Sequence, residues 1–414
     1  MLAGSRSQKS VICLTPVALE HDTRAIKVAR SLIRLGYSTT VIEGVLSRNE
    51  IDGIDVIQLG GAISQSPARS PDNRSVIERI RQRVPPFARD MVLFYADKLR
   101  RFSLDYKRVI QSLKDVDCIY LHGCIYARAV IEHCQKKQVK FVYDAHDFYS
   151  RIPVPDDVGV GFGRRIRRYE RGLEEKCFAS AGAIVTVSPG LANLMHDSFG
   201  RQPEVIMNSH DPCLEIETDR DIRDDCLISA SDFLIVSVGN AKAGQSILTL
   251  LDALARLPER FHLACVGSGY EQYGLHIEKL GLQRRTHLMG ARAAPEVVPY
   301  IRSADMSVLT YYAASDNLKY ALPNGFFQSL AAHLPIVYSP DLLEVSKLCV
   351  PHAVGRQINV HDPQAYANAI EQFSEESGSK LGNCVNYEVL LSEIEWSKQE
   401  QKLAAVMSAM WGSG

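Results

Sequence analysis

Three stretches of this 414-residue sequence place ionisable or hydrogen-bonding groups at the ends of apolar runs. In the first, Val139-Lys140-Phe141-Val142-Tyr143 leads into Asp144-Ala145-His146-Asp147, and Cys118-Ile119-Tyr120-Leu121 leads into His122-Gly123. An imidazole titrates near neutral pH and also donates hydrogen bonds to hydroxyls, so a histidine between two carboxylates suits proton handling or sugar contact. His146 alone would serve equally as a structural hydrogen-bonder; Asp144 and Asp147 at its sides make it a site candidate, with His122 beside it. In the second stretch, Phe233–Val238 runs into Gly239-Asn240-Ala241-Lys242-Ala243-Gly244. One cation with exposed backbone amides meets the charge of a nucleotide diphosphate, so Lys242 is the phosphate candidate, against the alternative of an ordinary surface lysine. The third stretch, Ser315 to Pro340, reads as a polar loop, then Leu322-Pro323-Asn324-Gly325, then a helix and the strand Ile336-Val337-Tyr338. Pro323 suits the first helical position, Phe326, Phe327, Leu330 and Ala331 form an apolar stripe, and Pro335 is expected to stop the helix. The free N–H groups at such a helix start can hold a phosphate or sugar-phosphate oxygen.

Alternating strands and helices position these groups. Ser10 to Leu14 reads as a strand, Asp22 to Leu35 as a helix with Asp22 as N-cap and Gly36 at its end, and Thr39 to Ile42 as the next strand. Glu20 and Asp22 lie in the connecting loop, where substrate contact and simple solvation or capping are both open. A helix over Gly163 to Ala179 carries Arg164, Arg165, Arg167, Arg168 and Arg171, read as a solvated face. Ala183 to Val187 is a strand and Ser188 an N-cap. Phe261 to Val266 is another strand, ending in Gly267-Ser268-Gly269, a pair of glycines that by itself decides little. Helix from Pro295 to Arg302, strands at Thr286 to Gly290, Met306 to Leu309 and Ala353 to Arg356, and a last helical pattern from Tyr387 to Met410 complete the alternation. In open parallel sheets ligands sit beyond the carboxyl ends of strands, where all three stretches fall.

A chain this long exceeds what one core holds, which predicts two domains. The hydrophobic share of 46% and charged share of 23% are those of a globular protein, and a net charge of −1 gives no global reason to expect nucleic acid. No apolar run approaches the roughly 20 residues of a membrane span. Ten cysteines without a CxxC pair or metal-ligand spacing fit reduced thiols in a cytoplasmic protein, and no metal site is expected. Residues 65–114 hold twelve Lys or Arg against five Asp or Glu, interleaved with apolar residues. That insert is either a solvated basic face or an amphipathic segment lying on an anionic membrane surface.

The stretch from Asn317 to Pro335 resembles the donor-site motif of glycosyltransferase family 4, N-x-x-x-x-L-P-N-K-x-F-E-x-x-A-x-G-x-P. Asp144-Ala145-His146-Asp147 resembles the family's D-x-H-[DE], VTVSPGLANLM its V-S-x-x-L-x-x-x-L segment, and VIMNSHD its V-I-x-N-G-V-D. The resemblance implies an α/β chain of GT-B architecture: two Rossmann-like doubly wound domains facing a central cleft, with a C-terminal helix returning to the N-terminal domain. Residues 9–212 would form the acceptor-side domain, 213–390 the nucleotide-sugar domain and 391–414 the returning helix, with Trp396 and Trp411 as packing anchors.

The implied activity is that of a retaining, metal-independent glycosyltransferase that needs no cofactor and moves a sugar from a nucleotide-sugar to a glycan or lipid-linked acceptor in cell-surface polysaccharide synthesis. It would be cytoplasmic or peripheral on the inner face of the membrane. His146, Asp144 and Lys242 would be catalytic. Gly239, Asn240, Lys242, Gly267, Gly269, Asn317, Pro323, Asn324, Gly325 and Gln328 would bind the donor, and Glu20, Asp22, His122 and Asp147 would lie on the acceptor side. Three positions depart from the family pattern: Gln328 and Tyr320 stand where it has glutamates and Gly325 where it has lysine. Those lost charges keep two other readings open, a non-catalytic GT-B interaction or regulatory protein and a nucleotide-sugar epimerase.

Overall fold

The computed structural model describes residues 8–45, 47, 51–59, 113, 116–153, 160–376 and 384–411. The basic stretch 65–114 lies outside them apart from Leu113. The described residues fall into two compact units, one from Met1–Thr186, Met195–Glu204 and Leu403–Gly414, the other from Val187–Leu194 and Val205–Lys402.

In the first unit, β1 (Ser10–Thr15), β2 (Ser38–Glu43), β3 (Asp55–Gln58), β4 (Cys118–His122), β5 (Lys140–Asp144), β6 (Ala183–Thr186) and β7 (Glu204–Val205) lie in the order β3-β2-β1-β4-β5-β6-β7. From β3 to β6 the neighbours pair in parallel. The central strands read as near-continuous apolar runs because both faces are covered: all five residues of β4 are buried. The end of the chain completes this unit. Leu403, Met407 and Met410 are buried, Lys140 Nζ donates to the Met410 carbonyl, and the Trp411 indole stacks on Tyr37 with Nε1 3.2 Å from its hydroxyl.

The second unit contains β8 (Phe233–Val238), β9 (Phe261–Val266), β10 (Thr286–Gly290), β11 (Met306–Val308), β12 (Ile336–Tyr338) and β13 (Arg356–Gln357), ordered β10-β9-β8-β11-β12-β13 and parallel throughout. Both sheets therefore change direction of winding once, between β1 and β4 and between β8 and β11. Those are the crevices where doubly wound sheets bind ligands.

Several boundaries differ from the sequence reading. Ser315 caps a short helix, Asp316–Tyr320, where a loop was expected, so Pro323 is the N-cap residue of helix Asn324–Ala331 rather than its first helical residue. That helix ends before Pro335: His333 takes a left-handed conformation, φ 54°, and Leu334 N–H bonds back to the Ser329 carbonyl at 3.0 Å, closing the last turn. Ala353 is also left-handed, φ 51°, which moves the expected Ala353 strand to Arg356–Gln357. The C-terminal pattern is two helices, Cys384–Ile394 and Trp396–Trp411. Pro295 lies in a 3-10 turn, Ala294–Glu296, ahead of helix Val297–Ile301.

One packing detail makes stability depend on pH. His262 on β9 and His287 on β10 stack with Nδ1 and Nε2 3.1 Å apart. Burial and the neighbouring His262 push His287 down to about 4. A depressed histidine contributes stability above its unfolded value, roughly 6.5, and loses it as pH falls through the folded one. The melting temperature should therefore fall between pH 6.5 and 4 more steeply in the wild type than in His287→Asn; parallel curves would remove this account.

Candidate active site

The first unit's candidate residues gather because β4 and β5 pair in register with His122 opposite Asp144. The Asp144 carboxylate is fully buried, and Arg24, from helix Thr23–Arg34, places Nε 2.7 Å from Oδ2. His122 Nδ1 lies 3.2 Å from the same oxygen, and His146 Nδ1 lies 4.0 Å from Oδ1. Burial alone would raise the Asp144 carboxyl, but the guanidinium charge, then His122 and His146, hold it well below the usual carboxylate range. The group is thus an anion kept charged in a dry place. His122, Asp144 and His146 bring three ligand-type atoms within 4.8 Å of one another, the one such group among the described residues. Arg24 already balances that carboxylate, so a metal ion would compete with a guanidinium for it.

Beyond Asp144 the chain turns through a 3-10 segment, Tyr149–Arg151. The Tyr149 hydroxyl lies 3.2 Å from His146 Nε2. Glu174, buried on helix Val160–Ser180, accepts from Tyr149 N–H at 2.7 Å, Ser150 N–H at 3.2 Å and Ser150 Oγ at 2.5 Å. Burial pushes its carboxyl up to about 7, and those three donors pull in the opposite sense. Asp147 is partly buried next to His146. In the loop after β1, Asp22 caps the helix by accepting from Ala25 N–H at 3.0 Å and from Thr15 Oγ1 at 2.7 Å. Glu20 is buried, with its N–H 3.3 Å from Ser47 Oγ. Buried Glu43 fixes both segments, accepting from Leu19 N–H at 2.9 Å and Ser47 N–H at 3.0 Å.

In the second unit the site is built from backbone brought close. A Cβ added at Gly267 would fall within 3.0 Å of the Gly239 carbonyl, so the loops after β8 and β9 touch main chain to main chain. Asn240 Oδ1 accepts from Ser268 N–H at 2.9 Å, Ala241 N–H donates to the Ser268 carbonyl at 2.9 Å, and Gly269 is left-handed at φ 90°. Gly244, φ 87°, leaves room for the Leu318 side chain, which brings the Asp316–Tyr320 helix and buried Asn317 against the same loop. Lys242 is exposed, its Nζ 5.3 Å from the Tyr311 ring centroid.

Gly325 lies directly on the end of β8: a Cβ there would also fall within 3.0 Å of the Val238 carbonyl. The position where the family pattern has lysine has no room for any side chain. Asn324 Oδ1 accepts from Asn208 Nδ2 at 2.6 Å, Pro323 precedes it as N-cap, and Gln328 is half-buried one turn on. Tyr320 packs against Gly190, whose own Cβ would strike the Tyr320 ring and Glu344 Oε1, while Ser188 Oγ donates to the Tyr320 carbonyl at 2.6 Å. The aromatic ring in place of a glutamate is thus a packing group.

The structure brings Gly239, Asn240, Gly267 and Gly269 together, and with them Gly325; in the first unit it joins His122, Asp144 and His146. Glu20 and Asp22 belong to the loop fixed by Glu43. Sequence reasoning missed Arg24, Tyr149, Glu43 and Glu174. Arg24 could have been found, since it is in phase with the apolar stripe Val28 and Leu32.

Two parallel doubly wound units, each with polar groups at its switch point, define the GT-B class of glycosyltransferase folds. Residues 22–212 match the family model described as Glycosyltransferase Family 4, and residues 232–376 match Glycosyl transferases group 1. The chain belongs to the family 4-like glycosyltransferases. It is similar to the sucrose-phosphate synthase of Thermosynechococcus elongatus, with 14% identity, 98% of this chain and 100% of that chain covered, and a TM-score of 0.71. Anabaena HepE in complex with UDP-glucose matches at 17% identity, covering 97% of this chain and 99% of that one, TM-score 0.69. WaaG, a glycosyltransferase involved in lipopolysaccharide biosynthesis, matches at 15% identity, covering 96% and 99%, TM-score 0.64. At these identities the likeness establishes the fold. No curated protein matches the sequence.

Proposed function

We propose that this chain is a retaining, metal-independent hexosyltransferase that takes its sugar from a nucleotide-sugar and passes it to a glycan or lipid-linked acceptor in cell-surface polysaccharide synthesis. The observation that carries the reading is the seating of helix Asn324–Ala331 on the end of β8 at Gly325, beside the glycine-bounded loops 239–244 and 267–269. A backbone-walled crevice with amides and one lysine fits a diphosphate, which gains negative charge as the sugar leaves. HepE, of the same fold, was solved with UDP and with UDP-glucose, which supports a nucleotide-sugar here. Lys242 and the amides at the helix start balance the leaving diphosphate; Asn317, Asn324 and Gln328 contact donor sugar, phosphate or ribose; and His146, with Asp144 behind it, contacts the transferred sugar. No cofactor is needed for that chemistry. Among the described residues no helix is long and apolar enough to cross a membrane, and a cytoplasmic enzyme held peripherally at the membrane is the proposed setting.

Calorimetry with UDP and GDP tests the donor site. One of them should bind, and Lys242→Ala should weaken it about 10- to 100-fold, the worth of a charge-assisted hydrogen bond. Transfer from a matching nucleotide-sugar to membrane extract should then be measurable. A well-folded protein that binds neither nucleotide would instead support an interaction or regulatory role, the reading that Gly325 and the packing use of Tyr320 favour.

A further inference from the structure

His146 is the reacting-end histidine of the first unit, yet its ring stands on a loop rather than on a strand, and something must fix its direction. Among the described residues its Nδ1 is buried and has no hydrogen-bond partner, while Nε2 lies 3.2 Å from the Tyr149 hydroxyl and the two rings meet edge to face with centroids 6.1 Å apart. Tyr149 is itself held from both sides of its peptide. Its N–H donates to Glu174 at 2.7 Å and its carbonyl accepts from Arg167 Nη1 at 2.9 Å, both side chains coming from helix Val160–Ser180. Arg167 also donates through Nη2 to the Pro153 carbonyl at 2.9 Å, which pins the far end of the turn. Gly123, φ 72°, supplies the remaining wall: a Cβ there would run into the Tyr149 hydroxyl, so glycine is what lets the phenol reach His146.

We infer that Tyr149 is the positioning residue of His146, holding the imidazole in one rotamer and one tautomer. The tautomer follows from the charges around the ring. Asp144 is an anion 4.0 Å from Nδ1, which favours the ring proton on that nitrogen. Burial keeps the phenol of Tyr149 protonated, so it donates to the Nε2 lone pair. The inference rests on the transferase reading for its kinetic consequence, but the tautomer can be read without any turnover.

The test is Tyr149→Phe in the full chain, with Arg167→Ala as a second variant that loosens the peptide while keeping the hydroxyl. Long-range nitrogen–proton spectra of the imidazoles should show His146 with the proton on Nδ1 in the wild type and a tautomer mixture in Tyr149→Phe. The transfer rate kcat should fall about 10- to 100-fold, as for a misdirected group, while the donor KM and the nucleotide Kd stay within about twofold. Arg167→Ala should show a smaller loss of the same kind. An unchanged His146 spectrum, or a kcat within twofold of wild type, overturns the assignment, as does a parallel fall in nucleotide affinity. If neither wild type nor variant transfers sugar, the transferase reading fails and the spectrum alone decides whether Tyr149 sets the ring.

Discussion

Gly325→Lys, which restores the residue usual in the family motif, is expected to weaken nucleotide binding and lower the melting temperature. Charge alone predicts the opposite, since a second cation near a diphosphate should tighten it. Sterics decide. The Gly325 Cα faces the Val238 carbonyl, main chain that cannot rotate away, and one turn on the same face of the helix is tied to the sheet by Ser329 Oγ, 2.7 Å from the Gly325 carbonyl and 2.6 Å from Ser307 Oγ on β11. Moving the helix to admit a Cβ breaks that buried hydroxyl pair. Overpacking of this kind costs about 1–3 kcal/mol, against a gain of roughly 1 kcal/mol from replacing glycine inside a helix. Gly325→Ala should share the destabilisation, which separates the Cβ from the charge. Tighter UDP binding by the lysine variant at an unchanged melting temperature would show that the helix start shifts freely, contrary to this reading.

The largest loss of stability is expected from Arg24→Met. The substitution keeps the side chain's length and apolar stem but leaves Asp144 buried without its guanidinium. Breaking a buried pair by removing one partner typically costs about 3–5 kcal/mol, because the remaining charge is neither solvated nor balanced. The Asp144 carboxyl, relieved of the cation and still desolvated, should rise, so the variant should recover stability as pH falls and the group is protonated. Arg24→Met with Asp144→Asn should regain much of the loss. Urea denaturation of both singles and the double gives the coupling; additive losses would mean that the 2.7 Å contact contributes little.

The central parallel strands were legible because each is a short apolar run bounded by polar or glycine residues, and so was the placing of Asp144, His146, Lys242 and Gly267 at their carboxyl ends, whereas edge strand β3, Asp55–Gln58, is mostly exposed and was not read. Position along a strand is a local property. What holds those groups is not: Arg24 meets a carboxylate 120 residues away, and nothing beside it in the chain announces that partner. Its phase with Val28 and Leu32 gave the one local hint. Glu174 was hidden in the same way, in a run of arginines and glutamates that reads as solvated, although it shares a helix face with Cys177 and Phe178. Gly325 was visible as a missing charge but not as an absence of space, because the distance to Val238 belongs to the packed sheet. One helix end and one strand start were misjudged where His333 and Ala353, rather than glycine, adopted the left-handed conformation.

The last helix gives the chain an order of manufacture. The first unit is begun by strands that precede residue 204 but also takes in the segment that starts at Leu403. At about 5–20 residues per second, the roughly 200 intervening residues take on the order of 10–40 s to synthesise. Through that interval the surface that will meet Met407 and Met410, and the Lys140 ammonium that will find the Met410 carbonyl, are without their partners. The residues of the second unit all precede that closing segment. Emergence of that closing segment, rather than of residues 1–204, is therefore the event that completes the first unit, and a fragment cut after residue 204 would keep that unfinished surface permanently.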